Sequence, residues 1–209
     1  MFQRHLLTEL AKWQKAKAPK PLLLRGARQV GKSHLVEYFG EHFFTNCIVI
    51  NFEQEPRYKA CFDSLRPSDI CQAISILAAQ SITEGETLLF FDEIQDCPAA
   101  IQSLRYFKEQ MPGLHVIGAG SLLELALRDA DFRMPVGRVN FLYLYPLSFA
   151  EYLQAVDPAS LTKLQQPSLL QPLLPAIHCH LLTHLRHFFL LGGMPEVLAD
   201  YQQTQDVEN

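Results

Sequence analysis

The stretch PLLLRGARQVGKS, residues 21–33, joins a short apolar run to a glycine-containing turn and then to a helical pattern. Its second part, Gly26–Ser33, matches the spacing G-x-x-x-x-G-K-[ST]. Glycines permit backbone angles and close approaches that other residues resist, so consecutive N–H groups can curl around an anion. The positive end of the following helix dipole points at the same place. A turn that follows a strand and opens a helix in this way is predicted to bind phosphate.

Every residue of this loop is a candidate for nucleotide binding: Gly26, Ala27, Arg28, Gln29, Val30, Gly31, Lys32 and Ser33. Lys32 is expected to reach the β- and γ-phosphates of ATP and to assist catalysis there, and the Ser33 hydroxyl is expected to ligate Mg²⁺. The alternative is an incidental turn between a strand and a helix. Such a turn does not need Lys and Ser at this spacing, so the nucleotide loop is favoured.

A second stretch, TLLFFDEIQD (residues 87–96), ends an apolar run with two adjacent acids. The run predicts a strand covered on both faces, as in parallel sheets. Because successive side chains of a strand diverge, Asp92 and Glu93 are predicted to point to opposite sides. Asp92 is then a candidate ligand of Mg²⁺, through water, and Glu93 a candidate catalytic base for the water that attacks the γ-phosphorus. The alternative is a pair of acids that only caps a strand.

Short apolar strands alternate with helical patterns across residues 21–146, which predicts a parallel sheet in a three-layer α/β fold, the ATP-binding core. Residues 1–20 are predicted to form an N-terminal amphipathic helix, and residues 147–209 a helical appendage that is either a lid or the start of another domain. The predicted strands are residues 21–26, 47–53, 114–120 and 138–146 and the strand that leads to Asp92. Helices are predicted through Leu35, Val36 and Phe39, near 68–82, from Pro98 and from Ser121.

Composition narrows the class of protein. With 209 residues, of which 48% are apolar, the chain can build one good-sized core. Residues 1–38 carry eight basic and two acidic groups, but no basic stripe follows, so an anion site and a solvated helix face are favoured over a nucleic-acid surface. Five cysteines without C-x-x-C spacing indicate reduced thiols in a cytoplasmic protein. No apolar run approaches the length of a membrane-spanning helix, so no membrane contact is expected.

Six motifs occur in a fixed order along the chain: LLLRGARQVGKS, LLFFDEIQ, VIGAGS, VGRV, YPLSFAEYL and GGMPEV. With them, residues 5–200 resemble a widespread prokaryotic family of AAA-like P-loop ATPases. The resemblance implies a mainly parallel, five-stranded sheet of the additional-strand, catalytic-glutamate type, with LHVIGAG as the strand inserted between those that carry the two Walker motifs. Such proteins usually continue into a C-terminal domain of uncharacterised function, which is therefore expected to be missing or truncated beyond Asn209.

The same resemblance assigns roles to two further residues. Ser121 corresponds to the polar sensor of the γ-phosphate and the attacking water, although a helix N-cap is an equal alternative. Arg138 is the candidate arginine finger or sensor, because charge on the transferred phosphoryl group requires a cation. Arg128 and Arg133 compete for that role. For each of the three arginines a surface salt bridge is the alternative.

The segment HCHLLTHLRH, residues 178–187, places His180, His184 and His187 on one helical face. Zinc hydrolases of the H-E-x-x-H type need a glutamate after the first histidine, where Leu181 stands. A histidine-rich amphipathic helix is therefore favoured over a metal site.

These observations predict an ATPase that binds ATP and Mg²⁺ and couples hydrolysis to rearrangement of a partner or of an attached recognition domain. The alternative is a nucleotide-gated binding module with very slow turnover, in which occupancy is the signal. A nucleotide or small-molecule kinase ranks third, because no acceptor site is visible. Beyond ATP, the expected partners are further copies of the chain in a homo-oligomer, and a protein or DNA bound through the missing C-terminal region.

Overall fold

A computed structural model of the chain describes residues 2–121, 123, 137–165 and 172–204. Its strands are β1 (Leu22–Arg25), β2 (Asn46–Asn51), β3 (Thr87–Asp92), β4 (His115–Ala119) and β5 (Asn140–Tyr143). Its helices are α1 (Leu6–Gln14), α2 (Lys32–Phe43), α3 (Pro67–Ala78), α4 (Pro98–Gln110), α5 (Phe149–Val156), α6 (Pro158–Gln165), α7 (Pro175–Leu191) and α8 (Pro195–Thr204). Two 3₁₀ turns span Pro56–Phe62 and Ile94–Asp96.

The five strands form one sheet in the order β2-β3-β4-β1-β5, and every neighbouring pair is parallel. The predicted α/β fold with a five-stranded sheet is confirmed. The inserted strand is confirmed as well, because β4 lies between β1 and β3. In a parallel sheet the carboxyl ends of these three strands meet at one edge, where α/β proteins bind ligands. We call this the carboxyl edge, and the opposite side of the sheet the amino edge.

Helices cover the sheet because its strands are apolar on both faces. All six residues of β3 and all five of β4 are buried. The helical periodicity of α2 places Leu35, Val36 and Phe39 in the interior, as the sequence predicts. A group of aromatic rings in mutual contact fills one part of the core, consisting of Phe52, Phe62, Phe91 and Phe107. Burial of each such side chain contributes about 1.5–3 kcal/mol, which fixes the strands that carry the site.

The chain divides into two compact units. One is Leu6–Leu144, which contains the sheet, and the other combines Met1–His5 with Tyr145–Asn209. The second unit, called here the helical unit, has its own small core of Leu147, Tyr152, Leu153, Leu161, Leu181 and Leu198. The functional division expected at residues 20 and 146 stays a prediction. Among the described helices, none has both the length and the apolar character needed to cross a lipid bilayer.

The motif YPLSFAEYL has a structural role in the helical unit. Ser148 and Glu151 form a capping box at the start of α5, in which each side chain accepts the backbone N–H of the other residue. The second carboxylate oxygen of Glu151 accepts from the His5 N–H at 2.8 Å and from the Arg4 guanidinium at 3.2 Å. Burial raises the pKa of Glu151, but these donors and the Arg4 charge outweigh it and hold the pKa below its ordinary value. The motif thus joins the first residues of the chain to α5.

Candidate functional site

The predicted phosphate loop connects β1 to α2 at the carboxyl edge. Three of its residues have positive φ: Gly26 at 150°, Gln29 at 65° and Gly31 at 86°. Gly31 occupies the N-cap of α2, and no side chain caps that helix. The first N–H groups of α2 therefore face the loop with only the loop or a ligand to accept from them. This is the arrangement that a phosphate needs.

Lys32, the first residue of α2, is buried at the base of the loop. Its Nζ atom donates to the carbonyl oxygens of Gly26 at 3.0 Å and Ala27 at 2.8 Å. Burial lowers its pKa, and the nearby carboxylates of Glu93 and Asp92 partly offset that effect. An anion in the loop would give the buried ammonium a charged hydrogen-bond partner, because the two carbonyls that it contacts offer only dipoles.

Asp92 and Ser33 meet across the space between β3 and α2. The Ser33 hydroxyl donates to Asp92 Oδ2 at 2.8 Å, while Asp92 Oδ1 is buried and has no hydrogen-bond partner among the described residues. Burial raises the pKa of Asp92, although the bonds from Ser33 and neighbouring groups lower it in part. Mg²⁺ prefers oxygen ligands, and an unpartnered carboxylate oxygen beside a hydroxyl offers them. The residues therefore fit the ion that the phosphate loop implies.

Asn51 is a site residue that sequence reasoning missed. It is the last residue of β2 and pairs in register with Asp92. Its Oδ1 accepts from the N–H groups of Glu53 and Gln54, each at 3.0 Å, and its Nδ2 donates to Asp92 Oδ2 at 3.2 Å. The side-chain amide is thereby fixed at both ends and holds the Asp92 carboxylate toward Ser33. A polar residue at the end of an apolar strand was the signal, but its partner depends on the strand order.

Glu93 lies in different surroundings from Asp92, because it does not belong to the strand. Its backbone is left-handed, with φ 45° and ψ 46°, and it starts a 3₁₀ turn instead of continuing the strand. Its Oε2 accepts from Gln95 Nε2 at 2.6 Å and, more weakly, from the N–H and hydroxyl of Ser121 at 3.4 and 3.5 Å. Such a backbone is rare outside glycine and occurs often at functional sites. The turn, not strand alternation, separates the two acids.

Gln95 is the second residue that sequence reasoning missed. The motif LLFFDEIQ contains it, but the sequence alone gives it no role. Its access to Glu93 depends on Gly120, because a Cβ atom at Gly120 would overlap the Gln95 amide oxygen. The glycine after β4 therefore provides the room in which Gln95 lies against the Glu93 carboxylate.

The structure brings together most of the predicted site residues. Lys32, Ser33, Asp92, Glu93 and Ser121 lie at the carboxyl edge and are linked by the contacts above.

Arg138 is not among them. It precedes β5 at the amino edge, is about half exposed, and donates to Glu109 at 3.1 Å, as does Arg105 at 3.2 Å. Within one chain it forms the surface salt bridge that the sequence left as the alternative. Arg128 and Arg133, the competing candidates, lie outside the described residues.

Comparisons with known proteins relate this chain to one family and to several solved structures. A family model described as an AAA domain matches residues 18–153. The search of curated proteins gave no match. Among solved structures, a Walker-type ATPase of Pyrococcus abyssi superposes with a TM-score of 0.59 at 19% identity, covering 99% of this chain and 69% of the other.

Two further structures share the fold. C. elegans PCH-2 gives a TM-score of 0.52 at 10% identity, covering 96% of this chain and 61% of the other. The Aeropyrum pernix ORC1 protein, solved in complex with DNA, gives 0.50 at 13% identity, covering 98% and 62%. At these identities the likeness shows the fold alone.

Proposed function

Because this chain belongs to the AAA domain family, we propose that it is an Mg²⁺-dependent ATPase that couples hydrolysis to a conformational change of a partner or of an attached recognition domain. One observation carries the proposal: two adjacent acids at the carboxyl edge have separate partners. Asp92 is bonded to Ser33, a metal-ligand pair, and Glu93 is bonded to Gln95 and Ser121. A strand end that only needed capping would not need this division.

Binding is assigned to the phosphate loop, Gly26–Ser33. Its N–H groups and the Lys32 ammonium hold the β- and γ-phosphates, which replace the two carbonyls as partners of the buried charge. Ser33 and Asp92 would hold Mg²⁺, with Asn51 fixing the carboxylate. When bound, the ion neutralises charge on the phosphate oxygens and helps to orient them.

Hydrolysis is assigned to Glu93. In the described part of the chain its Oε1 accepts no hydrogen bond, while Oε2 is occupied by Gln95 and Ser121. Oε1 can therefore accept a proton from water as the water oxygen bonds to the γ-phosphorus and the bond from that phosphorus to the bridging oxygen breaks. ADP and phosphate are the products. Proton transfer of this kind contributes about 10²–10⁴-fold in rate.

Arg138 enters the proposal only as a group that acts on another copy of the chain, because its own site lies at the opposite edge of the sheet. A cation that arrives in trans raises phosphoryl transfer by about 10³-fold or more. Turnover per chain should then rise with protein concentration. Mixing inactive Arg138→Ala with inactive Glu93→Gln should restore part of the activity, whereas Arg105→Ala, which removes the other partner of Glu109, serves as the control. Concentration-independent turnover without rescue would remove Arg138 from the mechanism.

A nucleotide-gated module with very slow turnover is the second candidate. The observation in its favour is the short bond from Gln95, which can restrain Glu93 as well as orient it. Phosphate release by the purified chain, with and without Mg²⁺, separates the two. Release that requires Mg²⁺ and disappears in Glu93→Gln supports the ATPase. Tight ATP binding with no release in the parent chain supports the gated module.

The proposed partner on which the ATPase acts is a macromolecule. A protein or DNA partner is part of the proposal, and the structural neighbour solved with DNA makes DNA worth testing first. The measurement is phosphate release with and without duplex DNA; a rate unchanged by DNA would favour a protein partner. A cytoplasmic setting is also part of the proposal, supported by five cysteines that are all free thiols.

A further inference from the structure

A cluster of two histidines and one carboxylate lies in the helical unit, outside the nucleotide site. It consists of Asp157, His180 and His184, whose potential ligand atoms all lie within 4.8 Å of one another. Asp157 Oδ2 is 2.9 Å from His180 Nε2 and 3.6 Å from His184 Nε2. The two histidines are four residues apart on α7, and their rings meet edge to face with centroids 4.7 Å apart.

We propose that Asp157, His180 and His184 bind a divalent transition-metal ion, of which Zn²⁺ is the best match. Imidazole nitrogen and carboxylate oxygen are ligands that suit this ion. In a tetrahedral site with bonds of about 2.0–2.1 Å, ligand atoms lie about 3.3 Å apart. The two separations from Asp157, 2.9 and 3.6 Å, bracket that value, and the third lies within 4.8 Å, so the ion would draw the two imidazole rings together.

The carboxylate is held in place before any ion binds. Asp157 follows α5 and precedes α6, and its Oδ1 accepts the Ser160 N–H at 3.1 Å as the N-cap of α6. That bond fixes the side chain and leaves Oδ2 facing the histidines. His184 is held from the other side, because its ring packs edge-on against Tyr152, a fully buried residue of the local core. Two of the three ligands are therefore preorganised.

The sequence pattern alone suggests a different histidine set. His187 lies on the same face of α7, but its Nδ1 pairs with the Tyr201 hydroxyl at 3.1 Å and takes no part in the cluster. The third ligand is Asp157. It lies 23 residues before His180, so a search for a short histidine motif does not find it. Leu181 still stands where zinc hydrolases need a glutamate, so the site has no base of that kind. The ion would cross-link Asp157, which lies between α5 and α6, to the two histidines of α7.

The test uses the full chain without a histidine tag, stripped with a chelator and titrated with Co²⁺. Co²⁺ replaces Zn²⁺ readily, and its visible absorption distinguishes nitrogen and oxygen ligands from thiolate. We expect one equivalent with a nitrogen and oxygen spectrum, displacement by Zn²⁺, and a higher thermal midpoint of the helical unit. His180→Gln and Asp157→Asn should each weaken binding at least tenfold, and asparagine keeps the N-cap of α6.

Three controls exclude other sites. His178→Gln removes an exposed histidine of the same helix, and Cys179→Ser removes the exposed thiol beside His180. Asp92→Asn removes the metal ligand of the nucleotide site. All three should bind one equivalent as the parent chain does. Absence of binding by the parent chain, or equal binding by Asp157→Asn and His180→Gln with intact circular dichroism, would overturn the proposal. A thiolate spectrum lost in Cys179→Ser would do the same.

Discussion

The two edges of the sheet carry their charges in opposite settings. At the carboxyl edge Lys32 and Asp92 are each only 6% exposed. At the amino edge Glu109 receives both Arg105 and Arg138, and all three side chains are between one third and just over half exposed. Exposed pairs of this kind contribute little to stability, whereas buried charges cost free energy unless they are fully paired. The buried charges at the carboxyl edge therefore reduce the stability of the fold, whereas the exposed pairs at the amino edge change it little.

The pKa shifts show the same contrast. Burial moves the pKa of Asp92 up and that of Lys32 down, so the fold disfavours the charged form of each. Hydrogen bonds from Arg138 and Arg105 instead lower the pKa of Glu109, which favours its charged form. Charges that the fold disfavours, yet places side by side, are typical of functional sites. A bound nucleotide and its ion would stabilise the charged forms of Lys32 and Asp92.

The largest expected effect at the carboxyl edge is on turnover. Glu93→Gln should lower the rate of phosphate release by about 10²–10⁴-fold, because the amide cannot accept the proton of the attacking water. ATP binding should persist, since the hydrogen bonds of Glu93 go to Gln95 and Ser121 and not to the loop residues that hold the phosphates. Single-turnover release and binding of a fluorescent ATP analogue measure the two quantities. Loss of ATP binding together with turnover would place Glu93 in the cradle instead.

Lys32→Ala should weaken ATP binding about 100-fold, which corresponds to roughly 3 kcal/mol and the loss of one or two charge-assisted hydrogen bonds. Titration with the same fluorescent analogue measures the affinity. Lys12→Ala, which removes an exposed lysine paired with Glu9, is the matched control and should bind as the parent chain does. Equal affinity in Lys32→Ala, with the fold intact by circular dichroism, would overturn the phosphate-loop assignment.

Gln95→Ala should lower turnover about tenfold while ATP affinity stays constant, because the Glu93 carboxylate loses its 2.6 Å donor. Gly120→Ala should act in the same direction, since its methyl group would displace the Gln95 amide. The measurement is the steady-state rate at saturating ATP. A faster rate in Gln95→Ala would show that Gln95 restrains Glu93, and would favour the nucleotide-gated module.

The smallest effect concerns stability and tests the contrast between the edges directly. The folded chain binds the Asp92 proton more tightly than the unfolded chain does, so the contribution of Asp92 to stability falls as the pH rises through its folded pKa and is unfavourable at neutral pH. Asp92→Asn should therefore raise the thermal midpoint of the nucleotide-free chain at neutral pH, by about 2–4 °C for each kcal/mol regained. Mg²⁺-dependent ATP binding should weaken at the same time.

Glu109→Gln at the amino edge is the matched control for that substitution. Its carboxylate is paired and solvent-accessible, so no rise in the thermal midpoint is expected. Scanning calorimetry on the two variants at neutral pH makes the comparison. Equal shifts of the thermal midpoint in both variants, or a lower midpoint in Asp92→Asn alone, would mean that the buried carboxylate does not destabilise the fold.

Local sequence patterns correctly predicted the structural elements that are determined by residues adjacent in the chain. The spacing of Gly26–Ser33 and the apolar run before Asp92 each determine their own segment, so both were predicted with the right element. The inserted strand followed from the family resemblance. Contacts between separate segments were not accessible: Asn51 reaches Asp92 only because β2 lies beside β3. The left-handed turn at Glu93 was also missed, because no glycine marks it.

The bonds that join the first residues of the chain to Glu151 affect how shortened forms of this protein should be designed. A chain started at Leu6 would keep the phosphate loop and its partners at the carboxyl edge, yet it would strip the Glu151 carboxylate, which is buried in the full chain, of a guanidinium and of a backbone donor. Removing one partner of a buried ion pair costs about 3–5 kcal/mol. Trimming five residues from the front would therefore damage helices that begin nearly 150 positions later, and an affinity tag belongs ahead of an intact first segment.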